Sequence, residues 1–196
     1  MKPVLLLDLG GVLADLGDPV RALRLEMTLS EFWKAWTSSA SVRAFETGQM
    51  TEAEFLVRIA VELGYAGTTP FMRQFHAWRL RLFPGVEDLL RDAALRYRVA
   101  LLSNTNTIHW GQVNPGNKLS AKFAQTFLSF ETGHFKPSPA AFEQVIAYFD
   151  CPPAEIVFLD DSEPNVAAAS ALGIDARRVV GVTELRRQLP GVADRN

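Results

Sequence analysis

The sequence predicts an α/β fold, a Rossmann-like parallel sheet core between helices, with an inserted all-helical cap. Two observations predict the sheet. The short apolar runs Val4–Leu7, Val99–Leu102, Phe127–Phe130 and Ile156–Leu159 are too brief for helices and too continuous for half-exposed strands. They read as parallel strands buried on both faces, and the segments between the later ones carry helical periodicity. A third observation predicts the insertion: from Asp15 to Leu82 the pattern is helical throughout. The expected division is therefore a core of residues 1–14 and 83–196 and a cap of residues 15–82.

Taken in order, the first strand is Val4–Asp8, followed by Gly10–Gly11, a turn where backbone can approach a ligand closely. Thr28 with Glu31 and Thr51 with Glu54 have the spacing of capping boxes, each opening a helix, and Thr47–Gly48 separates the two. Phe71, Phe75, Trp78 and Leu82 lie on one face of a third helix. Trp33 and Trp36, with Phe32, mark the apolar side of the helix begun at Thr28, and most of these aromatics are expected in the core. Pro84–Gly85 marks the return to alternating structure: a helix over Val86–Arg96, then a strand over Val99–Ser103. Asn104 to about Gln125 has weak periodicity. Phe127–Phe130 reads as a strand, Ser138–Pro139 opens a helix to about Phe149, and Ile156–Asp160 is a strand. Ser162 caps an Ala-rich helix that Gly173 ends; Ile174–Val180 and Thr183–Leu189 supply the last strand and helix.

The net charge of −2, with no block of Lys and Arg, argues against a nucleic-acid partner. No run approaches the ~18 apolar residues of a membrane span. Asp8 interrupts the first apolar run too early for a secretory leader. The single cysteine, Cys151, reads as a buried or semi-buried structural thiol, and a reducing, cytoplasmic compartment fits best.

Ligands bind open parallel sheets at the carboxyl ends of the strands. A carboxylate (Asp8), a hydroxyl (Ser103), an ammonium (Lys136) and an acid pair (Asp160–Asp161) are thereby expected in one crevice. That set suits a phosphoryl group handled with a divalent metal. Asp8 is the candidate nucleophile, since a carboxylate attacking phosphorus splits one hard displacement into two easier ones. Asp160 and Asp161 are the candidate ligands of Mg2+, a hard ion that takes carboxylate oxygens and substrate phosphate. Adjacent strand residues point oppositely, so Asp161 is the expected ligand and Asp160 is expected to orient Lys136 or a metal-bound water. Lys136 would balance the charge of phosphate beside three carboxylates. Ser103 and Asn104 offer a hydroxyl and backbone N–H groups to phosphate oxygens.

With these residues in this order, the chain resembles the haloacid dehalogenase-like hydrolase superfamily over nearly its whole length. VLLLDLGGVLAD matches the first motif, LLSN the second, FKPSPAAF the third and IVFLDD the fourth. The resemblance implies that Asp8 is the nucleophile, that Ser103 and Lys136 bind phosphate, and that magnesium is held by Asp8, the Gly10 carbonyl and Asp161. It also implies that the helical insertion is a small cap closing over the site. DLG in the first motif and Ser103-Asn-Thr-Asn106-Thr-Ile-His109 in the second are similar to bacterial α-D-glucose-1-phosphate phosphatases, which draws attention to His109.

One departure matters. Most phosphatases of the superfamily carry a second Asp two residues after the nucleophile as general acid and base, where this chain has Gly10. Asp15, His109 or a cap residue would then be left to supply the proton, or the substrate must have a good leaving group, which favours sugar 1-phosphates over 6-phosphates. The expected function is magnesium-dependent hydrolysis of a small phosphorylated metabolite through an aspartyl-phosphate. The alternatives are a catalytically weak phosphate-binding or interaction protein, and a metal-independent 2-haloacid dehalogenase. That branch carries no acid pair in its fourth motif and has a tyrosine where this chain has Phe142. A receiver domain is disfavoured because its acid pair follows the first strand. Substrate identity and oligomeric state are not legible.

Overall fold

The computed structural model describes residues 2–65 and 67–189. In chain order the elements are β1 (Val4–Leu7), β2 (Ala14–Asp15), α1 (Pro19–Leu23), α2 (Leu29–Ser38), α3 (Ala40–Glu46), α4 (Glu52–Glu62), α5 (Thr68–Ala77) and β3 (Arg81–Leu82). There follow α6 (Val86–Ala94), β4 (Arg98–Ser103), α7 (Thr107–Val113), β5 (Gln125–Leu128), α8 (Ser129–Thr132), α9 (Pro139–Phe149), β6 (Ile156–Asp160), α10 (Glu163–Ala171), β7 (Asp175–Arg178) and α11 (Gly181–Gln188). The predicted α/β class holds. Five strands form one parallel sheet in the order β5-β4-β1-β6-β7.

The first apolar run becomes the central strand because its side chains are apolar on both faces. Val4 pairs with Arg98 on one side and Ile156 on the other, and Leu7 with Leu101 and Leu159. Leu5 and Leu7 pack into one buried layer, whereas Val4 and Leu6 pack into the opposite layer with Phe142, Phe158 and Cys151. This is the period-two alternation of a strand covered on both sides. Cys151 is buried, as expected. Among the described residues no helix is long and apolar enough to cross a membrane.

The helical insertion differs from the sequence expectation in number and ends. It holds five helices, not three, and two-residue strands stand at its entrance and exit. Those strands pair antiparallel, Ala14 with Leu82 and Asp15 with Arg81, so both crossings are tied together. The helix expected to run on from Thr28 breaks at Ser39, whose hydroxyl accepts from Val42 N and donates to Glu62. A serine that bonds the local backbone competes with helix continuation, and this one starts α3. α5 stops at Ala77: Trp78 is extended and its indole N–H donates to the Leu16 carbonyl at 2.6 Å. Leu82 therefore lies in a strand. Both capping boxes form as predicted, Thr28 with Glu31 and Thr51 with Glu54. In the core, β5 ends at Leu128, two residues before the predicted end, because the Ser129 hydroxyl accepts from Thr105 N and bonds back to Thr105 O. The weakly periodic stretch after Asn104 contains α7 and two 3-10 turns.

Candidate active site

Strand order reverses between β1 and β6: the chain proceeds outward through β4 and β5 on one side, then through β6 and β7 on the other. Such a switch point opens a crevice at the carboxyl ends of the strands. Asp8 follows β1 there, its backbone N–H continuing the ladder to Leu159 O at 3.0 Å. Asp160 ends β6, Asp161 follows it, and Ser103 ends β4. Lys136 arrives from the loop before α9. Its position is set by Asn104, whose amide accepts from Lys136 N and donates to Lys136 O, both at 2.9 Å.

The Lys136 ammonium is almost wholly buried. It donates to Asp8 Oδ1 at 2.6 Å, Asp160 Oδ2 at 2.6 Å and Leu102 O at 2.9 Å, which uses all three of its protons. Burial alone would lower its pKa, but Asp160 and Asp8 outweigh burial and push it up. Asp160 is fully enclosed and also accepts from Ser162 N at 2.8 Å and from Asn165 Nδ2 at 3.0 and 3.1 Å. Asp8 is raised from the usual carboxylate range by burial and by Asp160 and Asp161, against the pull of Lys136. Asp161, half-buried, is raised by burial and by Asp160. One ammonium faces three carboxylates, and an oxygen from each of Asp8, Asp160 and Asp161 lies within 4.8 Å of the others. Hard divalent cations take such oxygen sets.

The sequence-predicted residues Asp8, Gly10, Ser103, Asn104, Lys136 and Asp161 all line one cavity of about 370 Å³. Asp160 lies beneath it, bonded to Lys136. The cavity's far wall comes from the insertion and includes Trp33, Trp36, Arg43 and Glu46. Phe32, Phe71 and Phe75 are core, as expected, whereas part of the tryptophan stripe faces the cavity. The Gly10–Gly11 turn does bring backbone close to the site: Gly11 has φ of +72°, and any Cβ there would run into the Asp161 carboxylate. One residue escaped the sequence reading. Glu46 is buried in the wall of the cavity, and only the packing of the insertion on the core brings it there.

His109 is an enclosed neutral base. It stacks on Phe75 at 5.2 Å and meets Trp78 edge-on at 4.5 Å, while Asn106 bonds its Nδ1 at 3.2 Å. Burial, with His76 nearby, pushes its pKa down to about 3. Asp15 is exposed, outside the cavity, and accepts from Gly17 N at 2.9 Å.

A family model described as haloacid dehalogenase-like hydrolase matches residues 3–173. The chain is 26% identical to a D-ribitol-5-phosphate phosphatase of Bacteroides thetaiotaomicron, over 93% of this chain and 94% of that protein. It is also 26% identical to flavin mononucleotide hydrolase 1 of Arabidopsis thaliana, over 66% of this chain and 53% of that one. Among solved structures, a haloacid-dehalogenase-family enzyme of Bacteroides thetaiotaomicron, in complex with magnesium and inorganic phosphate, superposes with a TM-score of 0.75 and 30% identity, covering 91% of this chain and 94% of that one. An L-2-haloacid dehalogenase of Xanthobacter autotrophicus shares the fold at 19% identity and a TM-score of 0.66, covering 98% of this chain and 85% of that one.

Proposed function

Since the chain belongs to the haloacid dehalogenase-like hydrolases, we propose that it is a magnesium-dependent phosphatase of a small phosphorylated metabolite, acting through an aspartyl-phosphate on Asp8. The observation that carries this reading is the buried Asp8–Lys136–Asp160 arrangement at the switch point, with Asp161 completing a carboxylate trio. In this reading Asp8, the Gly10 carbonyl and Asp161 hold magnesium, which supplies charge neutralisation for the phosphoryl oxygens when bound. Asp160 is committed to Lys136, Ser162 and Asn165, so it orients the lysine and contributes to the metal site mainly through its charge. Lys136 holds Asp8 and faces the phosphate. Ser103 offers its hydroxyl to the phosphate; the Asn104 side chain is spent on Lys136, so its phosphate contact runs through the backbone N–H. The carboxylate trio favours the metal-dependent reading over dehalogenation, and Asp8, Lys136 and Asp161 kept together favour catalysis over simple phosphate binding.

The cavity volume and the helices of residues 15–82, acting as a cap, favour a small substrate. Sugar and polyol phosphates are the class suggested by the ribitol-phosphate relative, and the motif likeness puts sugar 1-phosphates first among them. A cytoplasmic setting accords with the single buried thiol.

The test is a screen of sugar, polyol, nucleotide and acyl phosphates with and without magnesium. Activity should vanish with chelator and return with magnesium, and Asp161→Ala should weaken metal affinity more than Asp160→Ala; dehalogenation of 2-haloacids in chelator would overturn the reading. Phosphoproteins and nucleic acids should be hydrolysed far more slowly than small esters, since cap closure admits only what the cavity holds. Comparable rates on a phosphoprotein would show that the cap does not close over the substrate.

A further inference from the structure

We propose that Glu46, carried by the cap, is the proton donor to the leaving oxygen and the base that activates the water, in the role for which position 10 has no side chain. The proposal rests on the phosphatase reading above. Three sources of a proton were open: Asp15, His109 and a cap residue. Asp15 is exposed outside the cavity; His109 lines the cavity, but with its pKa pushed down to about 3 by burial it is neutral and holds no imidazolium proton to give. Outside the Asp8, Asp160 and Asp161 cluster, Glu46 contributes the one carboxyl group among the described residues lining the cavity.

Its placement is that of a held residue. Glu46 is 6% exposed and ends α3. Two residues on, Gly48 takes φ of +71°, and a Cβ there would lie 2.5 Å from the Phe130 carbonyl of the core. The end of α3 is thereby seated against the core by a contact that only glycine permits. From the core side, Asn106 is fully buried, its Oδ1 caps His109 N at 3.0 Å, and its Nδ2 reaches Glu46 Oε1 at 3.5 Å. The second carboxyl oxygen takes no hydrogen bond from a described residue. Burial pushes the Glu46 pKa up to about 7, against the Asn106 hydrogen bond, and a helix C-terminus works in the same direction as burial. An acid poised near the working pH is the kind that transfers protons efficiently.

The chemistry balances in two steps. As Asp8 attacks phosphorus and the bond from phosphorus to the leaving oxygen breaks, neutral Glu46 gives that oxygen its proton and becomes a carboxylate. Glu46 then takes a proton from water as the water oxygen attacks phosphorus. The Asp8–phosphorus bond breaks, releasing inorganic phosphate and restoring both carboxyl groups. With a proton supplied this way, the advantage of an anomeric leaving group expected from Gly10 shrinks.

The experiment measures kcat/KM in saturating magnesium for phosphate monoesters whose leaving groups run from 4-nitrophenol to simple alcohols. Wild type should show a shallow dependence on leaving-group acidity. Glu46→Gln should lose activity on every ester, but unevenly: about tenfold or less on the nitrophenyl ester and about 10²–10⁴-fold on alkyl esters. Adding Gly10→Asp with Leu16→Ala should flatten the dependence again; a Cβ at position 10 would lie 3.1 Å from Leu16 Cδ2, so Leu16 must yield. An equal loss on all esters, or a rise in KM alone, would make Glu46 a structural or binding residue and overturn the proposal. A steep dependence in wild type would overturn it without any variant. If wild type is active and Asp8→Asn is dead, either result leaves the phosphatase reading standing; no turnover of any ester by wild type would remove both.

Discussion

Asp8→Asn should leave a folded protein with no measurable phosphatase activity. The amide keeps the shape of the side chain, and its oxygen can still accept from the Lys136 ammonium, which donates to Asp8 Oδ1 at 2.6 Å. What it loses is the nucleophile, because an amide oxygen cannot form the acyl-phosphate. The stability half of the expectation follows from the charge around it. Burial and the neighbouring Asp160 and Asp161 raise the Asp8 pKa despite Lys136, so its negative charge is held at a net cost to the native state without metal. A group whose native pKa is raised loses stability as pH climbs above its ordinary range. Removing that charge should therefore leave the melting temperature in chelator unchanged or higher at pH 7.5. Turnover and thermal melts on the same preparation check both halves. Wild-type turnover by the purified variant would refute the nucleophile assignment, and a large fall in melting temperature would refute the electrostatic account.

The core was legible because each of its elements is specified locally. Val4–Leu7 and the run 156–159 are apolar on both faces, and such runs have no stable place except between layers. Thr28 and Thr51 mark helix starts through bonds made within three residues. What stayed hidden depends on partners far along the chain. The break at Ser39 is stabilised by Glu62, and the extended Trp78 by the Leu16 carbonyl. Neither partner lies within the window that a helical period surveys. The site divides in the same way. Asp8, Ser103 and Asp161 sit at or just beyond strand ends, which a parallel sheet gathers into one crevice, so their meeting follows from topology; Lys136 comes from the loop beyond α8 and is set there by the Asn104 side chain. Glu46 reaches the cavity only through the way the insertion is seated on the core at Gly48, and local sequence there reads as an ordinary helix end before Thr47–Gly48.

Replacing Lys136 by Met should be the costliest single change for stability as well as abolishing turnover. Methionine fills much of the same volume but leaves Asp8 and Asp160 facing each other with no cation between them, at 7% and 0% exposure. Breaking a buried ion pair by removing one partner costs about 3–5 kcal/mol, because the remaining charge stays desolvated and unpaired. Here one ammonium serves two carboxylates, so the upper part of that range is expected near neutral pH without metal. The sign of the pH dependence can be worked out from both ends of the interaction. Lys136 has a raised native pKa, so the stability it contributes is fully present below the ordinary lysine pKa and is lost as pH rises through the native value. At pH 5–8 wild type thus keeps that whole contribution, and the variant lacks it. Asp8 is already raised in wild type; without the pull of Lys136 it must rise further, so the variant should lose stability more steeply than wild type between pH 5 and pH 8. Urea unfolding in chelator at those two pH values measures this directly. The deficit should be smaller at pH 5, where Asp8 can take up a proton and relieve the repulsion with Asp160. A deficit of equal size at both pH values would mean that Lys136 stabilises the fold through its packing against Phe158, 5.5 Å from the ring centroid, rather than through the two carboxylates it joins.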